Sequence, residues 1–326
     1  MKILIVGYGS IGKRHIKNLL RYTKHDLLIC SKQKDIRLPK KRCKIFRTLN
    51  QCINENPDCA IIANNTNEHL HTSIKLAQAN CHLFIEKPLS NSLVGIKHLE
   101  KITKKNNLIT MMGCNLRFHP GLILLKKLLS KNIIGKILHV QTEFGSYLPE
   151  WHPYENFRTS YAAKKSLGGG AVLTLIHEID YLFWLFGDVK KILSVSGTAS
   201  NFKIDVEDFS SSLLEFSKKL TCILHLNYFQ QPRSRWCKII GTNGTIYWDY
   251  EHNHLKVYVP KKQKWVYKMK DSNFNENQMY VDELKHFFSC IKNNKQSIND
   301  VSEGIKVLRI AIDIKNAGKS GKVIKR

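Results

Sequence analysis

The first twelve residues restrict the fold more than any other stretch. An apolar run, Lys2–Val6, passes straight into Gly7-x-Gly9-x-x-Gly12, and helix-like sequence begins at Lys13. A short, β-branched apolar run is the pattern of a strand buried on both faces of a parallel sheet. Gly7 makes the turn, Gly9 removes a side chain where backbone must approach a pyrophosphate, and Gly12 lets the following helix pack close to the strand. The amides at the start of that helix face an anion. Gly7, Gly9, Ser10, Ile11 and Gly12 are therefore candidates for holding a dinucleotide. A glycine turn alone is a weak signal, but a second apolar run at 81–85 ends in Glu86-Lys87-Pro88 and strengthens it.

Further strand-like runs at 26–30, 44–46, 59–63, 82–85 and 108–112 alternate with helical patterns, the signature of a doubly wound α/β sheet. Ligands in such sheets bind beyond the carboxyl ends of the strands. Three loops occupy those positions, 7–12, 64–69 and 86–88, which adds Asn64, Asn65, His69 and Glu86 to the cofactor candidates. The second strand ends in Cys30-Ser31-Lys32, where an acidic residue would normally hold the ribose 2′-hydroxyl. Ser31 and Lys32 are thus placed beside the cofactor, Lys34 and Arg37 supply further positive charge for a 2′-phosphate, and NADP is expected to bind at least as well as NAD.

Composition changes after residues 115–120, which predicts a Rossmann domain over 1–118 and a second α/β domain over 119–326. Within the latter, 137–146 reads as a strand and 147–161 as a polar aromatic segment. A triple glycine at 168–170 precedes a helix expected over 171–186. Residues 192–267 read as successive strands with a hairpin turn at Thr242-Asn-Gly-Thr245, so a largely antiparallel open sheet is expected. Helical patterns return at 279–292 and 301–317.

A chain of 326 residues suits two domains, each with its own core. The nine cysteines are scattered, odd in number and never spaced Cys-x-x-Cys, which fits reduced thiols in a cytoplasm and argues against a zinc ribbon. Lysine and arginine number 52 against 26 acidic residues, but they are spread along the chain without a basic arm or a nucleic-acid-reading motif. No specific nucleic-acid partner is expected; the charge instead favours acidic or phosphorylated small molecules. No apolar run approaches the ~20 residues of a membrane span, so no membrane partner is expected.

Taken together, Gly7-x-Gly9-x-x-Gly12, the 63–69 loop, Glu86-Lys87-Pro88, Asn115-x-Arg117-Phe118 and residues 168–180, ending Ile-His177-Glu-Ile-Asp180, resemble the Gfo/Idh/MocA oxidoreductases. The resemblance implies an N-terminal Rossmann domain and a C-terminal α/β domain whose open sheet commonly forms the interface of a homodimer or homotetramer. It implies hydride transfer between NAD(P) and a secondary hydroxyl or ketone of a sugar, sugar phosphate or nucleotide-linked sugar. The stretch from Trp151 to Ala163 is similar to a branch found in bacterial surface-sugar gene clusters. A family member that keeps the cofactor fold but acts as a regulatory or sensor protein is the rival reading.

In the resemblance Lys87 lies near the nicotinamide and the reacting carbon, where a cation stabilises a developing alkoxide. His177 is the proton-transfer candidate, since a neutral imidazole can take the hydroxyl proton as hydride leaves. Asp180, three residues on, shares its helix face and is placed to orient the ring or bind substrate. Family members often carry an acid four residues before this histidine; here that position is Leu173, followed by Thr174. Asn115, Arg117, Trp151, Tyr154, Arg158 and Tyr161 are the remaining substrate candidates, the aromatics for a sugar's C–H face and the arginines for a phosphate or carboxylate. No metal is expected, because His119, His152 and His177 lack ligand spacing.

Overall fold

The computed structural model describes residues 1–153 and 155–326. In chain order the elements begin β1 (Lys2–Val6), α1 (Ser10–Tyr22), β2 (Asp26–Cys30), β3 (Cys43–Phe46), α2 (Leu49–Ile53), β4 (Cys59–Ile62), α3 (Thr66–Gln78), β5 (His82–Glu86), α4 (Ile96–Lys105) and β6 (Thr110–Gly113). They continue α5 (Pro120–Ser130), β7 (Ile137–Gly145), α6 (Ala171–Thr174), α7 (His177–Phe186), β8 (Val189–Gly197), β9 (Phe209–Phe216), β10 (Thr221–Asn227) and β11 (Ser234–Gly241). The last are β12 (Gly244–Asp249), β13 (His254–Val259), β14 (Lys264–Lys270), α8 (Asn277–Lys292), α9 (Val301–Ser320) and β15 (Ile324–Lys325).

The chain divides into two compact units, Met1–Cys114 with Asn277–Leu308, and Asn115–Glu276 with Arg309–Arg326. In the first, six parallel strands run in the order β3-β2-β1-β4-β5-β6, the doubly wound arrangement expected from the sequence. Ile3, Leu4 and Ile5 are fully buried, as strands covered on both faces must be. A single cut near residue 118 does not describe this unit, because residues 277–308 return to it. The edge strand β6 supplies the reason. The backbone of Met112 exchanges hydrogen bonds with Asn299 (2.9 Å and 2.7 Å), and Ser297 and Gln296 donate to Thr110 O and Leu108 O, so the edge is covered rather than left open. Phe287 of α8 meanwhile packs edge-on against Phe84, with ring centroids 5.7 Å apart.

The second unit carries a nine-stranded mixed sheet in the order β14-β13-β12-β11-β7-β10-β9-β8-β15. Among the described residues only β7 and β10 pair in parallel in this sheet; its other ladders are antiparallel. Alternation of burial along β8, β9 and β10 leaves one face apolar and exposed: Ile223, Leu213 and Leu193 lie side by side across three strands. The helix expected over 171–186 is broken. Leu175 N–H still bonds Ala171 O, but Glu178 N–H turns to Leu175 O, and the segment Lys165–Thr174 meets α7 at 49°. His177 therefore begins a helix instead of sitting within one. No single helix among the described residues is long and apolar enough to cross a membrane.

Candidate active site

In the first unit the glycine turn is built for close approach. Gly7 has φ +107°, and a Cβ there would come 2.4 Å from Ala63 O, so only glycine fits. A Cβ at Gly12 would fall 2.2 Å from Gly7 O, which is the tight strand-to-helix packing read from sequence. Gly9 differs, since its Cβ would meet nothing within 4 Å. The absent side chain is not needed for packing; it leaves open the space in front of the α1 N-terminus, where Gly9 caps without a side-chain hydrogen bond and no acidic residue occupies the first turn. Amides facing such a space fit a pyrophosphate, and Ser10 and Ile11 form the first turn of that helix.

At the end of β2, Ser31 is nearly buried and its hydroxyl accepts from Gln33 N–H at 3.2 Å, while Lys32 is exposed. Gln33 Nε2 donates to Tyr8 O (3.3 Å), tying this loop to the glycine turn. Arg47, which the sequence reading did not single out, donates to Ser31 O at 3.1 Å and also to Gln33 O. It brings a further guanidinium to the loop that carries Lys32.

The next two loops correct the cofactor assignments. His69 is buried with its ring between two backbone carbonyls, Nδ1 2.8 Å from Pro88 O and Nε2 3.0 Å from Asn64 O. Each nitrogen faces a backbone carbonyl, to one of which the ring N–H donates, and burial pushes the ring's pKa down. His69 is a clamp joining the β4 and β5 loops rather than a cofactor ligand. Asn64 uses its amide on Thr72 Oγ1 (3.0 Å), and Asn65 is exposed at the start of α3. Glu86 turns inward. His15 Nε2 donates to its Oε1 at 2.7 Å, and a Cβ on Gly113 would lie 2.9 Å from the carboxyl, so the carboxyl occupies the space that glycine leaves. Glu283 of α8 completes a buried group with His15 and Glu86, the three donor atoms lying within 4.8 Å of one another. Neither Glu283 oxygen has a hydrogen-bond partner among the described residues, and burial, then repulsion from Glu86, pushes its pKa up from the ordinary carboxylate value. Lys87 follows, half-buried at the end of β5, ahead of a cis peptide bond to Pro88.

In the second unit, His177 is half-buried between wholly buried neighbours on α6 and α7. Leu173 is buried where the resemblance leads one to look for an acid, and Thr174 is buried beside it. Asp180 is held by Arg117. Both its oxygens are taken by Arg117, Nε–Oδ2 2.9 Å and Nη2–Oδ1 2.8 Å, with side-chain exposures of 3% and 0%. A bidentate fork with no water access is a structural pair, so Arg117 and Asp180 are withdrawn from substrate binding. Asn115, two residues earlier in the same 3₁₀ turn, is likewise buried. Sequence reasoning also missed Glu207. Its carboxylate lies against Gly170, receives Lys315 at 2.8 Å, and stands at the start of α6, where a negative charge complements the free amides.

The aromatic segment makes mostly internal contacts. Trp151 Nε1 donates to Ser146 Oγ (2.9 Å) and packs edge-on to Tyr228; Arg158 Nε donates to Phe202 O (2.9 Å) and lies over Phe157. Tyr161 is half-buried, and the concavity it lines with Trp151 holds only about 10 Å3. Tyr154 lies outside the described residues. His119 is a structural residue: its Nδ1 accepts from Gly121 N–H, and burial among Trp248, Tyr250 and Phe274 lowers its pKa to about 3.

Residues 1–114 match the NAD-binding Rossmann fold of the GFO_IDH_MocA oxidoreductase family, and residues 126–325 match that family's C-terminal alpha/beta domain. The chain is 27% identical over 225 residues to a levoglucosan dehydrogenase of Pseudarthrobacter phenanthrenivorans, covering 60% of this chain and 57% of that protein. The match thus spans little more than half the length of that relative. It is 25% identical over 348 aligned positions to a scyllo-inositol 2-dehydrogenase (NAD(+)) of Bacillus subtilis, covering 98% and 95%. Among solved structures, levoglucosan dehydrogenase in complex with NADH superposes with a TM-score of 0.87 at 19% identity, covering 100% of this chain and 98% of the other. The WlbA dehydrogenase from Bordetella pertussis, in complex with NADH and UDP-GlcNAcA, does so with a TM-score of 0.83 at 19% identity, covering 100% and 97%.

Proposed function

Because this chain belongs to the GFO_IDH_MocA oxidoreductase family, we propose that it is an NAD(P)-dependent dehydrogenase or reductase. Its substrate is a secondary hydroxyl, or the matching ketone, of a sugar, sugar phosphate or nucleotide-linked sugar. The observation that carries the reading is the glycine turn, where Gly7 and Gly12 are required by packing while Gly9 leaves open space before uncapped helix amides. Gly7, Gly9, Ser10, Ile11 and Gly12 would hold the dinucleotide's pyrophosphate, and Ser31, Lys32 and Arg47 its adenosine ribose. The nicotinamide, when bound, supplies or accepts the hydride.

The chain's own residues supply the rest. Lys87, just past the end of β5, stabilises negative charge on the substrate oxygen as the C–H bond breaks or forms. His177 takes or returns the hydroxyl proton. No carboxylate from position 173 assists, and Asp180 is committed to Arg117, so this histidine does the proton transfer without an acidic neighbour from either position. A nucleotide-linked sugar in bacterial surface-glycan assembly is the favoured substrate. Support comes from the sequence of residues 151–163, from the positive net charge, and from the UDP-sugar complex of the similar WlbA fold. We further propose a cytoplasmic homodimer or homotetramer.

The test is a turnover screen. NAD(H) and NADP(H) are each presented with UDP-sugars, sugar phosphates and free polyols, and nicotinamide absorbance is followed. Turnover of one class supports the reading; tight cofactor binding with no turnover in any class favours the regulatory protein instead.

A further inference from the structure

Asp249, His252 and His254 play no part in the chemistry above, yet the hairpin between β12 and β13 gathers them. Asp249 and His254 are cross-strand partners, and His252 projects from the turn that joins them. Asp249 Oδ1 accepts the His252 backbone N–H at 3.1 Å, and Oδ2 lies 2.9 Å from His252 Nδ1. Asn253 holds the turn with φ +40° and an amide donated to Asp271 O at 2.7 Å. The two imidazoles stack with centroids 5.9 Å apart, and Tyr267 packs edge-on against His254.

One ligand atom from each of the three residues lies within 4.8 Å of the other two. An ion bonded at about 2.1 Å to each donor brings them no farther apart than about 4.2 Å, so small side-chain rotations close the site. His254 Nε2 is shut from water and has no hydrogen-bond partner among the described residues. A buried acceptor left so is costly, and a metal ion removes that cost. The three residues also line a concavity of about 800 Å3 whose walls carry four carboxylates against three lysines, which gives room for water or a ligand in the remaining coordination positions.

We propose that Asp249, His252 and His254 bind one divalent transition-metal ion of the zinc class. Two imidazoles and a carboxylate suit zinc or its d-block neighbours rather than magnesium or calcium, which prefer all-oxygen shells. The spacing Asp-x-x-His-x-His is the sequence signal.

Zn2+ is titrated calorimetrically into untagged, chelator-stripped full-length protein, and Co2+ serves as a visible-absorbance probe of imidazole ligation. The parent is expected to bind one ion per chain, with His252→Ala and Asp249→Asn each weakening affinity at least about 10-fold and removing the cobalt bands. The His252 side chain is 76% exposed, so His252→Ala keeps the fold, and metal-free thermal unfolding confirms it. Glu283→Gln should leave the affinity unchanged, which separates this site from the buried group around Glu86. Absence of binding at about 100-fold excess metal, or parental affinity in either ligand variant, overturns the proposal.

Discussion

Lys87 directly follows the last residue of β5 and His177 is the first residue of α7, so each side chain sits at the boundary of a hydrogen-bonded element. Lys87→Met and His177→Ala should each lower single-turnover hydride transfer by about 10²- to 10⁴-fold, the scale of a lost acid-base or electrostatic group. Cofactor affinity, read by nicotinamide fluorescence, should hold; wild-type turnover in both variants would place the chemistry elsewhere. Glu283 makes a different prediction. Its pKa is raised in the folded protein, so the native state keeps a proton that the unfolded chain gives up above about 4.5. Stability is therefore lost as pH rises above that value, and Glu283→Gln, which is neutral at every pH, should escape the loss. Thermal unfolding from about pH 5 to pH 8 should show the variant gaining on the parent as pH increases. A gap that stays constant would mean that Glu283 is already ionised in the folded state.

At the level of elements, the pair of Arg117 and Asp180 joins the 3₁₀ turn Asn115–Phe118 to α7. Removing one member of a wholly buried pair leaves the other uncompensated, so Asp180→Ala should destabilise by about 3–5 kcal/mol. A substrate ligand would behave otherwise, raising KM with little change in denaturant midpoint, and that outcome would restore the sequence reading. The loop after β2 predicts cofactor choice. It carries Lys32 and receives Arg47, with no acidic residue at 30–32. NADP(H) should bind at least as tightly as NAD(H) in a fluorescence titration, and Lys32→Ala should weaken NADP(H) more. A clear preference for NAD(H) in the parent sinks this assignment.

For the whole molecule, the exposed row of Ile223, Leu213 and Leu193 on the nine-stranded sheet is the feature most at odds with a solitary chain. An apolar face of this kind normally meets a partner, and a second copy of the same face is the simplest one. Light scattering after size exclusion should find a dimer or tetramer, and Leu213→Lys should shift it to a smaller species without unfolding. An unchanged assembly in the variant would exclude this face from the interface.

The alternating strands, the glycine turn and the Glu86-Lys87-Pro88 strand end were legible because their causes are local. A buried parallel strand needs consecutive apolar residues, and a turn with φ +107° at Gly7 needs glycine, whatever lies elsewhere in the chain. Pairings between distant residues were not legible. Asp180 sits three residues from His177 in sequence but spends its charge on Arg117, 63 residues away, because a buried carboxylate goes to the nearest bidentate donor. Glu86 is taken up by His15, 71 residues away, in the space that Gly113 leaves, and β6 is covered by residues 296–299, which follow α8 and lie more than 180 residues on in the chain. Residue type and period determined the elements and the candidate chemistry. Burial decided which polar groups remain for that chemistry, since desolvation forces each buried charge to find a partner or give up its ionisation, and only folding brings the partners within reach.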